Sequence, residues 1–146
     1  MIFEQEITWG KHTFILTNKR ALFWPAKKTL ILSDLHLGKA AHFRRNGIPI
    51  PSQIHHKDLD ILEKLLLHYQ VERVIIVGDL IHANQNSEVL DFKEFLLRYK
   101  GGEFILIRGN HDRLVERKIL NLGISAIYDC YELDGIQFVH EPTPCE

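Results

Sequence analysis

At the start of the chain Phe3, Ile7 and Trp9 fall on one side and Glu4, Glu6 and Thr8 on the other, the alternation of a half-buried strand. HTFILT (12–17) reads as a second strand, NKR (18–20) as a turn, and ALFW (21–24) as a piece that Pro25 ends. TLIL (29–32), RVIIV (73–77) and FILI (104–107) are short continuous apolar runs, the mark of strands buried on both faces. ISAIY (124–128) is a further strand candidate, and Asp134-Gly135 between apolar flanks signals a hairpin. Helical spacing fills the intervals. KAAHFRRNG (39–47) suggests a short helix closed by Gly47, and IPIP (48–51) an extended loop. Ser52 can cap a helix with Ile54, Ile61, Leu62, Leu65, Leu66 and Tyr69 on its apolar face. Ser87 to Tyr99 repeats the pattern with Val89, Phe92, Phe95, Leu96 and Tyr99. Asp112 can cap a helix of about two turns that Gly123 ends. Strands alternating with amphipathic helices predict an α/β domain around a largely parallel sheet, fed by an N-terminal meander.

Composition narrows the class. At 146 residues the chain is read as a single domain. Lys plus Arg total 18 against 19 for Asp plus Glu, a net charge of −1, which excludes a global polycation for nucleic acid or membrane. Two cysteines, Cys130 and Cys145, make no disulfide framework and point to a reducing compartment. The N-terminus carries Glu4 and Glu6 where a signal peptide needs basic residues, and no apolar run is long enough for a membrane span. The expectation is a cytoplasmic protein.

The chemistry lies at strand ends. Four strand candidates run into polar residues: TLIL-SDLH, RVIIV-GD, FILI-RGNHD and IQFV-HE. In open α/β sheets ligands bind beyond the carboxyl ends of strands, so these tips should converge. They bring Asp34 and His36, then Asp79, then Asn110, His111 and Asp112, then His140. Any one of the carboxylates alone would read as a turn residue or helix cap; four tips together do not. The donors are oxygen and nitrogen with no thiolate, suiting Mn, Fe, Zn or Mg. Asp79 has two oxygens with which to bridge two ions, and the residual positive charge would favour an anionic, phosphate-ester substrate. His111 beside Asp112 reads as a proton donor with a carboxylate partner. Arg44 and Arg45, with Lys39 and His42, form a small basic cluster that reads either as a solvated helix face or as a phosphate contact. His82 lies near the presumed crevice as a candidate substrate contact, whereas His12, His55, His56 and His68 read as solvated or structural. There is no GxxxxGK or GxGxxG loop for a nucleotide.

SDLHLG, GDL, GNHD and the later strand-borne His resemble the calcineurin-like metallophosphoesterases, and SDLHLGKAAHFRRNGIPIP is similar to the ligase-associated DNA-damage-response endonuclease family (PdeM). The resemblance implies an αββα sandwich holding two divalent metal ions, Mn first among them. Asp34, His36 and Asp79 would bind one ion, and Asp79, Asn110 and His140 the other. His111 would contact or protonate the scissile phosphate, with Asp112 supporting it. It further implies a phosphodiester substrate, DNA included, and a DNA ligase and a helicase as partners in repair. The family pattern also has a Gly-His-x-His motif with one more ligand for each metal. No His-x-His occurs here, so the expectation is the N-terminal two-thirds of such a domain, with the C-terminal part of the second sheet missing. Weak metal binding, completion by a partner chain, or oligomerisation through an uncovered apolar face would follow.

A metal-dependent phosphodiesterase or nuclease is thus the leading expectation. The alternatives are a non-catalytic metal-binding fragment and a UDP-diacylglucosamine-type pyrophosphatase, the latter disfavoured by His111 where those enzymes typically carry Arg. A nucleic-acid-binding module without chemistry ranks last, given the charge balance.

Overall fold

The three continuous apolar runs form adjacent strands at the centre of a seven-stranded sheet. The computed structural model describes residues 1–33, 35, 44–47, 53–80, 87–99, 102–109 and 116–142. The meander comes first: β1 (Glu4–Trp9), β2 (His12–Thr17), β3 (Ala21–Trp24) and β4 (Thr29–Leu32) pair antiparallel in succession. From β4 the sheet turns parallel through β5 (Arg73–Val77), β6 (Glu103–Ile107) and β7 (Ala126–Tyr128). The parallel crossovers carry α1 (Gln53–His68), α2 (Ser87–Arg98) and α3 (Glu116–Leu120). Strand order follows sequence order without reversal. Crossovers of one hand that advance in one direction put all their helices on the same face. A second, two-stranded sheet is the hairpin of β8 (Cys130–Leu133) and β9 (Ile136–Val139).

Alternation along the parallel strands explains why they are apolar throughout. Val74, Ile76, Phe104 and Leu106 face the helices and pack with Leu62, Leu66, Phe92 and Phe95. Ile75, Ile105 and Ile107 face the other way and pack with Phe14, Trp24 and Phe138. The described layers are therefore helices, large sheet and hairpin, three layers of the expected αββα sandwich. No helix among the described residues is long and apolar enough to cross a membrane.

Two sequence expectations need correction. β1 is exposed along its whole length, with Trp9 at 74%: it is an edge strand paired only to β2, and among the described residues no layer packs over it, although the Tyr69 hydroxyl just past α1 donates to Glu4. The strand expected over 124–128 begins at Ala126, because Ile124 turns into the helical core instead. β9 lies in the hairpin stacked on the large sheet. The expected hairpin turn is present: Asp134 and Gly135 both have positive φ, 49° and 81°, as a type I′ turn requires.

Candidate metal centre

The crevice lies at the carboxyl end of the parallel strands, and β5 supplies its centre. Beyond Val77 the chain enters the left-handed region twice in succession, Gly78 at φ 77° and Asp79 at φ 53°. The Gly78 N–H donates to the Ile107 carbonyl at 2.7 Å, so the turn is tied to the end of β6. A non-glycine residue in this region is uncommon, and Asp tolerates it better than most. The carboxylate of Asp79 is left buried at the strand end.

Neighbouring chain holds it there at close range. A Cβ built on Gly109 would lie 2.5 Å from the Asp79 backbone nitrogen and 2.8 Å from its Oδ1. Only glycine at 109 lets β6 pass so near. On the other side stands His140, just past β9. A Cβ on Gly78 would lie 1.9 Å from His140 Nδ1; the imidazole rests on the bare glycine. Turn propensity alone accounts for either glycine; the structure adds that each makes room for Asp79 or His140. A G-D pair and a G-N pair ending adjacent parallel strands was the available signal.

His140 reaches this place because its hairpin is anchored elsewhere. Phe138 is buried against Trp24, with ring centroids 6.5 Å apart. At the hairpin turn Asp134 gathers Lys11 and Lys27, each at 3.4 Å, with His12 Nδ1 at 3.9 Å. Partial desolvation works to raise the Asp134 pKa, but the two lysines outweigh it and hold the carboxyl below its ordinary value.

His140 Nε2 lies 3.6 Å from Asp79 Oδ2, longer than a good hydrogen bond. Two donors each about 2.1 Å from one ion in tetrahedral array would stand roughly 3.4 Å apart. The pair therefore fits joint ligation of a divalent cation of the oxygen- and nitrogen-binding class. Of the expected ligands, Asp79 and His140 are brought together. Asp34, His36 and Asn110 lie outside the described residues, as do His111, Asp112 and His82. Ser33 and Leu35, which flank Asp34, leave the end of β4 next to β5. Arg44 and Arg45 are helical, and the turn closes with Gly47 N–H on the Arg44 carbonyl at 3.1 Å, as the sequence suggested.

The model of the calcineurin-like phosphoesterases matches residues 27–143. The chain belongs to that family. Its fold is similar to the crystal structure of Pseudomonas putida nuclease MPE, with a TM-score of 0.82 and 29% sequence identity. The match covers 98% of this chain and 68% of that one. None of the curated proteins compared with the chain matches it. Membership makes the chain a phosphoesterase-type hydrolase by fold, and the family generally uses two divalent metal ions. The metallophosphoesterase expectation is thereby borne out at the level of family and fold.

Proposed function

We propose that this calcineurin-like phosphoesterase hydrolyses phosphodiester bonds, with nucleic acid as its substrate, as a Mn-dependent enzyme of DNA repair in the cytoplasm. The observation that carries the reading is the Asp79–His140 pair, two donors 3.6 Å apart at the mouth of the parallel strands. The likeness to a protein described as a nuclease supports the substrate class. Asp34, His36 and Asp79 would hold one ion, and Asp79, Asn110 and His140 the other. When bound, the ions draw charge from the phosphate oxygens and lower the pKa of water at the site. His111 protonates the leaving oxygen, and the Asp112 carboxylate orients its imidazole. Arg44, Arg45 and His82 bind substrate oxygens. A ligase and a helicase working on the same damaged DNA are the partners in this reading.

Hydrolysis of bis(p-nitrophenyl) phosphate and of a labelled oligonucleotide, with and without Mn, tests it. Activity with Mn that Asp79→Asn abolishes is expected. Well-folded protein inactive with Mn, Mg, Zn and Fe would overturn the catalytic reading.

A further inference from the structure

We propose that Arg20 and Lys19, on the turn between β2 and β3, form a phosphate-binding edge of the crevice. They hold a backbone phosphate flanking the scissile one, and so favour a polynucleotide over a small diester. The proposal rests on the hydrolytic reading above.

Strand register carries the argument. Ala21 on β3 pairs with Leu32 on β4 in antiparallel fashion, so Arg20 stands level with Ser33, the residue before Asp34. A cation remote in sequence from every metal motif is thereby placed at the carboxyl end of the central strands. Arg20 lines two clefts that meet at Ser33. One of about 430 Å³ also contains Val77 and His140. The other, of about 540 Å³, contains Lys19, Lys57 and the carboxylate of Asp58. Arg20 lines both clefts together with Ala21, Leu32 and Ser33, and among the described residues is the one cation of that shared wall.

Two further observations suit a ligand-binding role. The turn is fixed: Thr17 Oγ1 donates to the Ala21 carbonyl at 2.8 Å and accepts from the Lys19 N–H at 3.1 Å. Yet the exposed Arg20 side chain pairs with no described residue. Its backbone sits at φ 58°, a region that glycine enters more easily than Arg. A guanidinium offers the paired donors that phosphate oxygens accept.

The test uses the full chain and its Arg20→Gly variant. Lys28→Gly serves as the matched control, because Lys28 is an exposed cation at φ 46° just before β4, at the end of the strand opposite Ser33. Fluorescence polarisation with a single-stranded oligonucleotide in EDTA gives affinity against salt. Kinetics with Mn give kcat/KM for the oligonucleotide relative to bis(p-nitrophenyl) phosphate. Arg20→Gly should weaken oligonucleotide binding about tenfold, the scale of a charge-assisted hydrogen bond. It should flatten the slope of log affinity on log salt by about 0.7, one phosphate's worth on a single strand. The preference for oligonucleotide over aryl ester should fall about tenfold, through KM. Lys28→Gly should change none of these, and Arg20→Gly should melt no lower than the parent. An unchanged slope and preference in Arg20→Gly, an equal effect of Lys28→Gly, or no oligonucleotide binding by the parent at low salt would overturn the proposal. Should the parent bind but not hydrolyse, the catalytic reading fails while the salt slope still decides the role of Arg20.

Discussion

Replacing Gly78 by Ala isolates the contact that joins the two sheets at the metal centre. The new Cβ would lie 1.9 Å from His140 Nδ1, and ordinary contact starts at 3.4 Å. The imidazole must therefore retreat by the difference, about 1.5 Å, or Gly78 must move and take Asp79 with it. Misplacement by about 1 Å can cost about 100-fold in rate, and designed sites tolerate only about 0.5 Å. The backbone adds its own cost, since φ is 77° and a left-handed alanine is worse than glycine by roughly 1–2 kcal/mol. Gly135→Ala is the control: its φ is 81°, but nothing lies within 4 Å of the added Cβ. Both variants should lose a similar 3–8 °C or so of melting temperature measured without metal. Only Gly78→Ala should also lose Mn affinity by calorimetry and at least about 100-fold in hydrolysis. If Gly78→Ala keeps metal affinity and rate within threefold of the parent, or Gly135→Ala loses as much, His140 is not held to Asp79 by this platform.

Further outcomes follow from the packing and the titrating groups. Ile76→Ala, fully buried between sheet and helices, should cost about 2–5 kcal/mol in urea unfolding. Burial first, and then the hydrogen bond and charge of Glu4, raise the Tyr69 pKa above its ordinary 10. The unfolded chain thus loses that proton first, and stability should fall as pH rises above about 10; Tyr69→Phe should flatten that part of the curve. The lowered Asp134 pKa has the opposite sign. Its contribution is present above the ordinary carboxylate range and is lost as pH falls below it, so Asp134→Asn should reduce acid sensitivity in thermal melts below about pH 4.

Periodicity made the frame of this fold readable. TLIL and RVIIV became β4 and β5 with the expected bounds, and Asp134-Gly135 the expected turn, because each is decided by local burial or local φ. The exposure of β1 was not readable, since alternation reports which side could be buried and not whether anything arrives to bury it. Strand-end chemistry led to the expectation that Asp79 and His140 converge, and they lie 3.6 Å apart, but it treated their strands as alike. One comes from a parallel strand, and the other from a hairpin held at its turn by Lys11 and Lys27 and along its length by Trp24 against Phe138. Arg20 escaped notice because its place depends on β3–β4 register, which no motif encodes. Asp34, His36, Asn110 and His111 remain readings of the sequence, consistent with the family to which residues 27–143 belong.

An anomalous-difference map from crystals soaked in Mn tests the central claim most directly. A peak about 2.2 Å from both an Asp79 carboxylate oxygen and His140 Nε2 is the expected result. Ordered Asp79 and His140 side chains with Mn bound only elsewhere, or with no Mn at saturating concentration, would contradict it.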